Sequence, residues 1–262
     1  VCRNTKSKDE TSEITEVRFH EKLSIKVSRE RICVGRWVEG DHIPCPDKAR
    51  VGRFSRCDTC AKDTIPDQQC IFEPRCDGSF CEAEAHTGER IEFCSRTHIV
   101  YLSFFGTNPK VGMTSDIRTN ERLIEQGADA YVVLQKLDNR REARQLEKAI
   151  SRELSIRQSY STSEILRLAR KSVDYDAISA KYTRIRKNIV GLTGVAPGEL
   201  IDLRDYPIRL PLRSLARETS TPGVHIGKIM GIKGRYLYYD AGGLNALNIS
   251  DLATRVIQFT EM

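Results

Sequence analysis

The sequence predicts an α+β protein: a Cys-rich zinc module, a small β-β-α-β-α core, basic helices and a C-terminal β-rich module. Three observations carry that expectation. Six cysteines, Cys57, Cys60, Cys70, Cys76, Cys81 and Cys94, fall within 38 residues. Directly behind them the pattern changes sharply, to apolar strand-like runs and then helical spacing. After Gly191 the chain breaks into short β-branched runs punctuated by glycine, as small barrels do at their corners.

Taken in order, Val17 to Val38 alternates and carries Leu23-Ser-Ile-Lys-Val27 and Ile32-Cys-Val34, which reads as one or two strands. Gly40 to Pro46 is turn-rich. Residues 47 to 97 show little periodicity, and such a stretch fits a compact protein only if a metal replaces the missing core. Ile99 to Phe105 and Lys110 to Met113 read as a hairpin about Gly106-Thr-Asn-Pro109. Thr114-Ser-Asp116 offers caps for a helix through Glu125, with Gly127 as its stop. Ala130 to Leu137 is a third strand. Asn139 caps a helix to about Arg157, with Ala143, Leu146, Ala149, Ile150 and Leu154 at helical spacing. Two further helices follow, Glu164 to Lys171 and Tyr175 to Val190. Short strands are then expected at 200–203, 206–212, 224–232, 234–240 and 254–259. The units expected are 1–46, an N-terminal β segment; 47–97, the zinc module; 98–158, the core; 159–192, basic helices; and 193–262, the C-terminal β module.

The chain has 262 residues, 39% apolar and 30% charged, which suits a folded protein with a sizeable core. No apolar run is long enough to cross a bilayer, and no basic head with an apolar stretch opens the chain, so a cytoplasmic location is expected. In that reducing compartment, clustered cysteines more often bind metal than pair. Cys57-Asp-Thr-Cys60 is a CxxC knuckle suited to tetrahedral Zn²⁺, and Cys70, Cys76, Cys81 and Cys94 are the candidates to complete the site. With His86 and His98 the stretch holds eight potential ligands, so one structural zinc is expected and a second has ligands enough. Cys33 and Cys45 read as buried thiols.

The net charge of +6 is concentrated. Between Asn139 and Lys187 thirteen Arg or Lys face six Asp or Glu. Such a surplus draws polyanions through local field and counterion release. Arg118, Arg140, Arg141, Arg144, Lys181, Arg184, Arg186 and Lys187 are the candidate phosphate contacts. No GxxxxGK[ST] is present, which argues against a P-loop.

Two resemblances add to this reading. Cys94-Ser-Arg-Thr-His98, Val100-Tyr-Leu102, Lys110-Val-Gly-Met-Thr114 and Arg122-Leu-Ile-Glu-Gln-Gly-Ala128, behind a cysteine cluster, resemble an uncharacterised prokaryotic domain-of-unknown-function family. Ile32-Cys-Val-Gly-Arg-Trp37 and Gly227-Lys-Ile-Met-Gly-Ile-Lys-Gly234 look like accessory parts of its archaeal branch. The core also resembles a diverged GIY-YIG nuclease domain, with Ile99-Val-Tyr101 standing for GIY and Lys110-Val-Gly112 for YIG. That resemblance implies Arg122 as the catalytic arginine and Glu147 as the metal-binding carboxylate. It departs from the pattern at Lys110, where a tyrosine is usual, and at Ile99, where a glycine is usual.

The chemistry stands beside the resemblance. Phosphodiester cleavage needs an activated water and charge compensation at phosphorus. Tyr101 could position the water, Lys110 and Arg122 could hold phosphate oxygens, and Glu147 could hold one Mg²⁺. Gly112 would allow a close approach of backbone and phosphate. The expected function is therefore a zinc-containing nucleic-acid-binding protein acting as a Mg²⁺-dependent endonuclease or RNA-processing phosphodiesterase. RNA, including tRNA, is preferred over DNA as partner. The alternatives are a non-catalytic RNA- or DNA-binding module and a tRNA-directed modification factor.

Overall fold

The computed structural model describes residues 2–3, 14–15, 21–38, 41–61, 92–208 and 210–259. The chain is mixed α+β, built on two main sheets that are antiparallel except at one edge pair of the second, beside a short pair of β1 (Cys2–Arg3) and β2 (Ile14–Thr15).

The first sheet holds β6 (His98–Phe105), β7 (Asn108–Ser115), β8 (Ala130–Leu137) and the short β9 (Ile201–Asp202), in the order β7-β6-β8-β9. Every residue of β6 is buried, as a central strand covered on both faces requires. One face presents Val100, Leu102 and Phe104 of β6 and Val132 and Leu134 of β8. It packs against Ala143 and Ile150 of α4 (Arg140–Glu153) and Ile178, Tyr182 and Ile189 of α6 (Tyr175–Thr193). The opposite face presents Ile99, Tyr101 and Tyr131 and is covered by Leu123 of α3 (Thr119–Gln126).

The helix ends follow their residues. Gly127 closes α3 at φ +77°, a left-handed conformation that glycine takes without a Cβ penalty. Asn139 caps α4 by accepting the Glu142 N–H at 3.0 Å. Ser161 and Glu164 form a reciprocal capping box on α5 (Thr162–Ala169). Helix α6 runs through Gly191 to Thr193 and stops at Gly194, whose N–H reaches the Val190 carbonyl at 2.8 Å.

The second sheet has the order β10-β13-β12-β11-β3-β14. Its strands are β3 (Lys22–Arg31), β10 (Arg217–Glu218), β11 (Gly223–Lys233), β12 (Tyr236–Asp240), β13 (Leu244–Asn248) and β14 (Arg255–Phe259). Strand β11 is shared: Gly223 to Lys228 pair with β3, and Lys228 to Lys233 pair with β12. One face of the sheet buries Leu23, Ile25, Val27, Ile229, Leu237, Tyr239 and Leu247 as a core, with a 3₁₀ turn over Ile249–Thr254 before the last strand.

Strand β3 is an inner strand between β11 and β14, and its Leu23, Ile25 and Val27 face is buried. Residues 32–222 therefore come between two neighbouring strands of this sheet. One expectation changes here. The run 206–212 forms no strand among the described residues. Pro207 and Pro211 cannot donate to a ladder, and only an isolated bridge joins Ile208 to Gly231. No helix among the described residues is long and apolar enough to cross a membrane.

Candidate metal centre

Where β3 leaves the second sheet the chain turns sharply. Gly35 sits at φ +78°, and a Cβ there would overlap the Ile43 carbonyl and crowd the Cys45 amide nitrogen. That turn lets β4 (Arg36–Val38) and β5 (Asp41–Ile43) form a hairpin that returns Cys45 to the side of Cys33. The chain then runs out and back to Cys57 and Cys60, at the start of the one-turn helix α1 (Asp58–Ala61).

The outcome is a group of four cysteines, Cys33, Cys45, Cys57 and Cys60, whose sulfurs all lie within 4.8 Å of one another. The Cys45 and Cys57 sulfurs are 3.9 Å apart. A disulfide would bring them to about 2.05 Å. Four thiolates around one Zn²⁺ at about 2.3 Å would stand ~3.8 Å apart, so the observed spacing fits a metal edge rather than a covalent bond. The backbone N–H groups of Gly35 and Cys57 point at the Cys33 sulfur at 3.4 and 3.2 Å, as second-shell donors to a thiolate do. The residues present therefore fit a metal ion such as zinc.

The thiols are held unequally. Burial pushes Cys60 up to about 12, and the sulfurs of Cys57, Cys33 and Cys45 add to the rise. Burial also raises Cys33. Cys45 is lowered to about 7, chiefly by the Ala49 backbone. Four sulfurs this close cannot all carry charge alone, and a bound dication supplies the compensation that lets them ionise.

Cys57 and Cys60 thus sit at the metal centre as the CxxC knuckle predicts. Their companions are Cys33 and Cys45, which sequence reading took for buried thiols; they are buried and also aimed at the shared point. Spacing concealed them, because eleven residues separate Cys33 from Cys45 and another eleven separate Cys45 from Cys57. Gly35 two residues after Cys33 and Pro46 after Cys45 were the available turn signals. Cys70, Cys76, Cys81 and His86 lie outside the described residues. Cys94, on α2 (Glu92–Ser95), is not part of the four-cysteine group. His98 is buried at the start of β6, its Nδ1 at 2.8 Å from the Arg96 carbonyl oxygen, and burial lowers its pKa.

The residues expected to act on a phosphodiester are divided between the sheet's two faces. Tyr101 and Gly112 are paired across β6 and β7, and the Lys110 ammonium lies 5.4 Å from the Tyr101 ring centroid. The Tyr101 hydroxyl accepts from Gln126 of α3 at 2.8 Å, and the residue is 1% exposed. Arg122 is on the outer side of that helix, 4.0 Å from Glu125. Glu147 belongs to the buried face of α4, with Ala143 and Ile150, against the other side of the sheet. Its carboxylate pairs with Arg144, which also donates to Gln158 at 3.1 Å. Gly112 has a reason the sequence did not reveal: a Cβ there would come within 2.5 Å of the Tyr101 hydroxyl, so the glycine makes room for the phenol ring.

The expected phosphate contacts also separate. Arg184, Arg186 and Lys187 are exposed and Lys181 half-exposed on α6, where Lys181, Arg184 and Lys187 share the outer face at three-residue spacing. Arg118 is exposed and bonded to Glu121 and Glu125. Arg141 is half-buried, Arg144 is engaged with Glu147, and Arg140 is buried, so these three offer little open cationic surface.

No curated protein and no solved structure matches the chain. Its resemblance to a family is nonetheless clear, since the profile of the family described as "Protein of unknown function (DUF2797)" covers residues 20–256, from β3 through the metal centre and both sheets into β14. The chain belongs to that family.

Proposed function

We propose that this is a zinc-stabilised nucleic-acid-binding protein, with RNA as the preferred partner and a diverged GIY-YIG core serving as a scaffold. The observation that carries the reading is the outer face of α6, where Lys181, Arg184 and Lys187 stand together, with Arg186 exposed on the flank, while the inner face is anchored by Ile178, Tyr182 and Ile189. A rigid helix with several cations on one side tracks a phosphate backbone and gains affinity by releasing counterions. The β-β-α-β-α order with strands arranged β7-β6-β8 supports kinship with the GIY-YIG core. Zinc is the metal that four sulfur ligands best suit, by geometry and by softness.

The binding reading is preferred over catalysis because Tyr101 is covered by α3 and Glu147 faces the other side of the sheet, in an ion pair with Arg144. A Mg²⁺-dependent phosphodiesterase remains the second reading, favoured by Lys110 beside Tyr101 on adjacent strands. A direct test is fluorescence anisotropy with labelled tRNA, single-stranded RNA and duplex DNA, run beside a cleavage assay with Mg²⁺ or EDTA. Binding without cleavage supports the proposal. Mg²⁺-dependent cleavage that Tyr101→Phe and Lys110→Gln abolish would replace it with the enzyme reading, and failure to bind any of the three would remove both.

A further inference from the structure

The segment between Cys45 and Cys57 is a basic loop with both ends tied to the metal centre. From Pro46 to Arg56 it carries Lys48, Arg50, Arg53 and Arg56 against one acidic residue, Asp47. Its backbone lies along the end of β3: the Cys33 N–H donates to the Ala49 carbonyl at 2.8 Å, the Val51 N–H to Arg31 at 3.0 Å, and the Val34 N–H to Ser55 at 2.9 Å. The Arg31 guanidinium adds a bond to the Gly52 carbonyl at 2.5 Å. The loop is thus held at five points besides its two cysteines' sulfurs if the Lys48 turn, whose N–H returns to the Cys45 carbonyl at 3.2 Å, is included.

Ala49 and Val51 turn inward and pack on the cysteine cluster. Lys48, Arg50 and Arg53 are exposed. Arg50 does pair with Glu30 at 2.7 Å, but the side chains are 79% and 58% exposed, and an exposed pair of that kind contributes little and exchanges readily for a stronger anion.

We infer that this loop is a second phosphate-contacting surface, ordered by the metal, on which Lys48, Arg50 and Arg53 engage the backbone of a single-stranded RNA. The inference rests on the nucleic-acid reading above and adds to it a site remote in sequence from α6. Arg and Lys held on a fixed backbone lose less conformational freedom on binding than the same residues on a free loop, which is what a metal at both ends of a short basic segment supplies. An anionic lipid surface presents the same charge, but the cations sit on a loop anchored to the end of β3 rather than on the polar side of an amphipathic helix, which favours the polynucleotide.

The experiment uses the full-length, metal-loaded protein with a fluorescein-labelled single-stranded RNA, titrated between 50 and 200 mM salt. The variants are Lys48→Gln/Arg50→Gln/Arg53→Gln and, separately, Lys181→Gln/Arg184→Gln/Lys187→Gln, each checked for metal content and circular dichroism. A single-strand contact contributes about 0.7 to the slope of log affinity against log salt, so losing three lowers the slope by ~2. A decrease of that size in the loop variant, with metal retained, is the expected result. An unchanged slope in the loop variant, with a reduced one in the α6 variant, overturns this inference and leaves the binding function standing. Wild-type protein that binds no RNA but does bind phosphatidylserine vesicles overturns both. Should the triple variant lose metal, Arg50→Gln alone decides, with a slope reduced by ~0.7 expected and no change contradictory.

Discussion

Lys233 and Asp129, separated by 104 residues, form an ion pair in the interior with 3% and 4% of their side chains exposed. Asp129 immediately precedes β8 of the first sheet, and Lys233 ends β11 of the second. The other Asp129 oxygen accepts the Gly106 N–H at 2.7 Å, and beside the pair Tyr206 donates to the Ala128 carbonyl at 2.9 Å. Gly127 and Gly234 meet backbone to backbone, so close that a Cβ on Gly234 would lie 2.7 Å from the Gly127 nitrogen. The two sheets are therefore joined by a charge pair that neither can leave exposed.

Removing one partner strands the other charge away from water. Asp129→Ala is expected to cost about 3–5 kcal/mol, since it leaves the Lys233 ammonium uncompensated. Asp129→Ala with Lys233→Met should recover most of that loss, because no buried charge then remains. Urea denaturation of the single and double variants measures both, and equal destabilisation of the two would contradict the account.

Glu147→Ala is expected to destabilise by a similar ~3–5 kcal/mol, because Arg144 is largely enclosed and loses its carboxylate. Thermal unfolding checks it. Loss of any activity in that variant would therefore report folding as much as chemistry, which is why Tyr101→Phe, lacking only the hydroxyl that accepts from Gln126, is the cleaner probe.

The capping box of α5 sets a pH dependence. The Ser161 backbone N–H, Arg157 and the Ser161 hydroxyl hold Glu164 down to about 2. A carboxylate depressed in the folded state stabilises it fully above its unfolded pKa, near 4.3, and that contribution fades as pH falls towards about 2. Stability of wild type minus Glu164→Gln, followed from pH 7 to pH 2, should be constant above about pH 5.5 and shrink below it. A difference independent of pH would contradict this. Glu164 is open to solvent, so the effect is small.

Metal removal should loosen one sheet before the other. The end of β3 is bound both to the metal-centre loop and to the 3₁₀ turn: Ile32 N–H donates to Thr254 at 2.6 Å, and the Arg31 guanidinium reaches the Thr254 hydroxyl at 2.9 Å and Asp251 at 3.5 Å. Hydrogen exchange after chelation should rise first in 28–36 and 249–256, while β6 and β8 stay protected. Uniform deprotection of both sheets would contradict it.

Much of the first sheet was legible because its signals are local. The apolar run of Ile99 to Phe105, the Asn139 cap and the Gly127 stop each depend on residues only a few positions apart. The metal centre was half legible for the same reason: CxxC announces itself, whereas Cys33 and Cys45 reach it only through a hairpin and a glycine at positive φ. The pairing of β3 with β11 and β14 could not be read, since about 190 residues intervene and alternation says which face is buried, not which strand lies beside it. Tyr101 and Glu147 illustrate a different limit. Both stand in order along the chain, but a strand's alternation decides the face, and it directs Tyr101 to α3 while α4 covers the reverse side.

The claim on which the rest depends is that Cys33, Cys45, Cys57 and Cys60 hold one metal ion that orders both the exit of β3 and the basic loop. The measurement that tests it most directly is metal content per chain, by plasma mass spectrometry on protein purified without added metal, for wild type and for Cys33→Ser, Cys45→Ser, Cys57→Ser and Cys60→Ser. The account predicts that each of the four substitutions loses the same single equivalent of zinc. Wild-type content retained in Cys33→Ser and Cys45→Ser, with loss only in the CxxC variants, would contradict it.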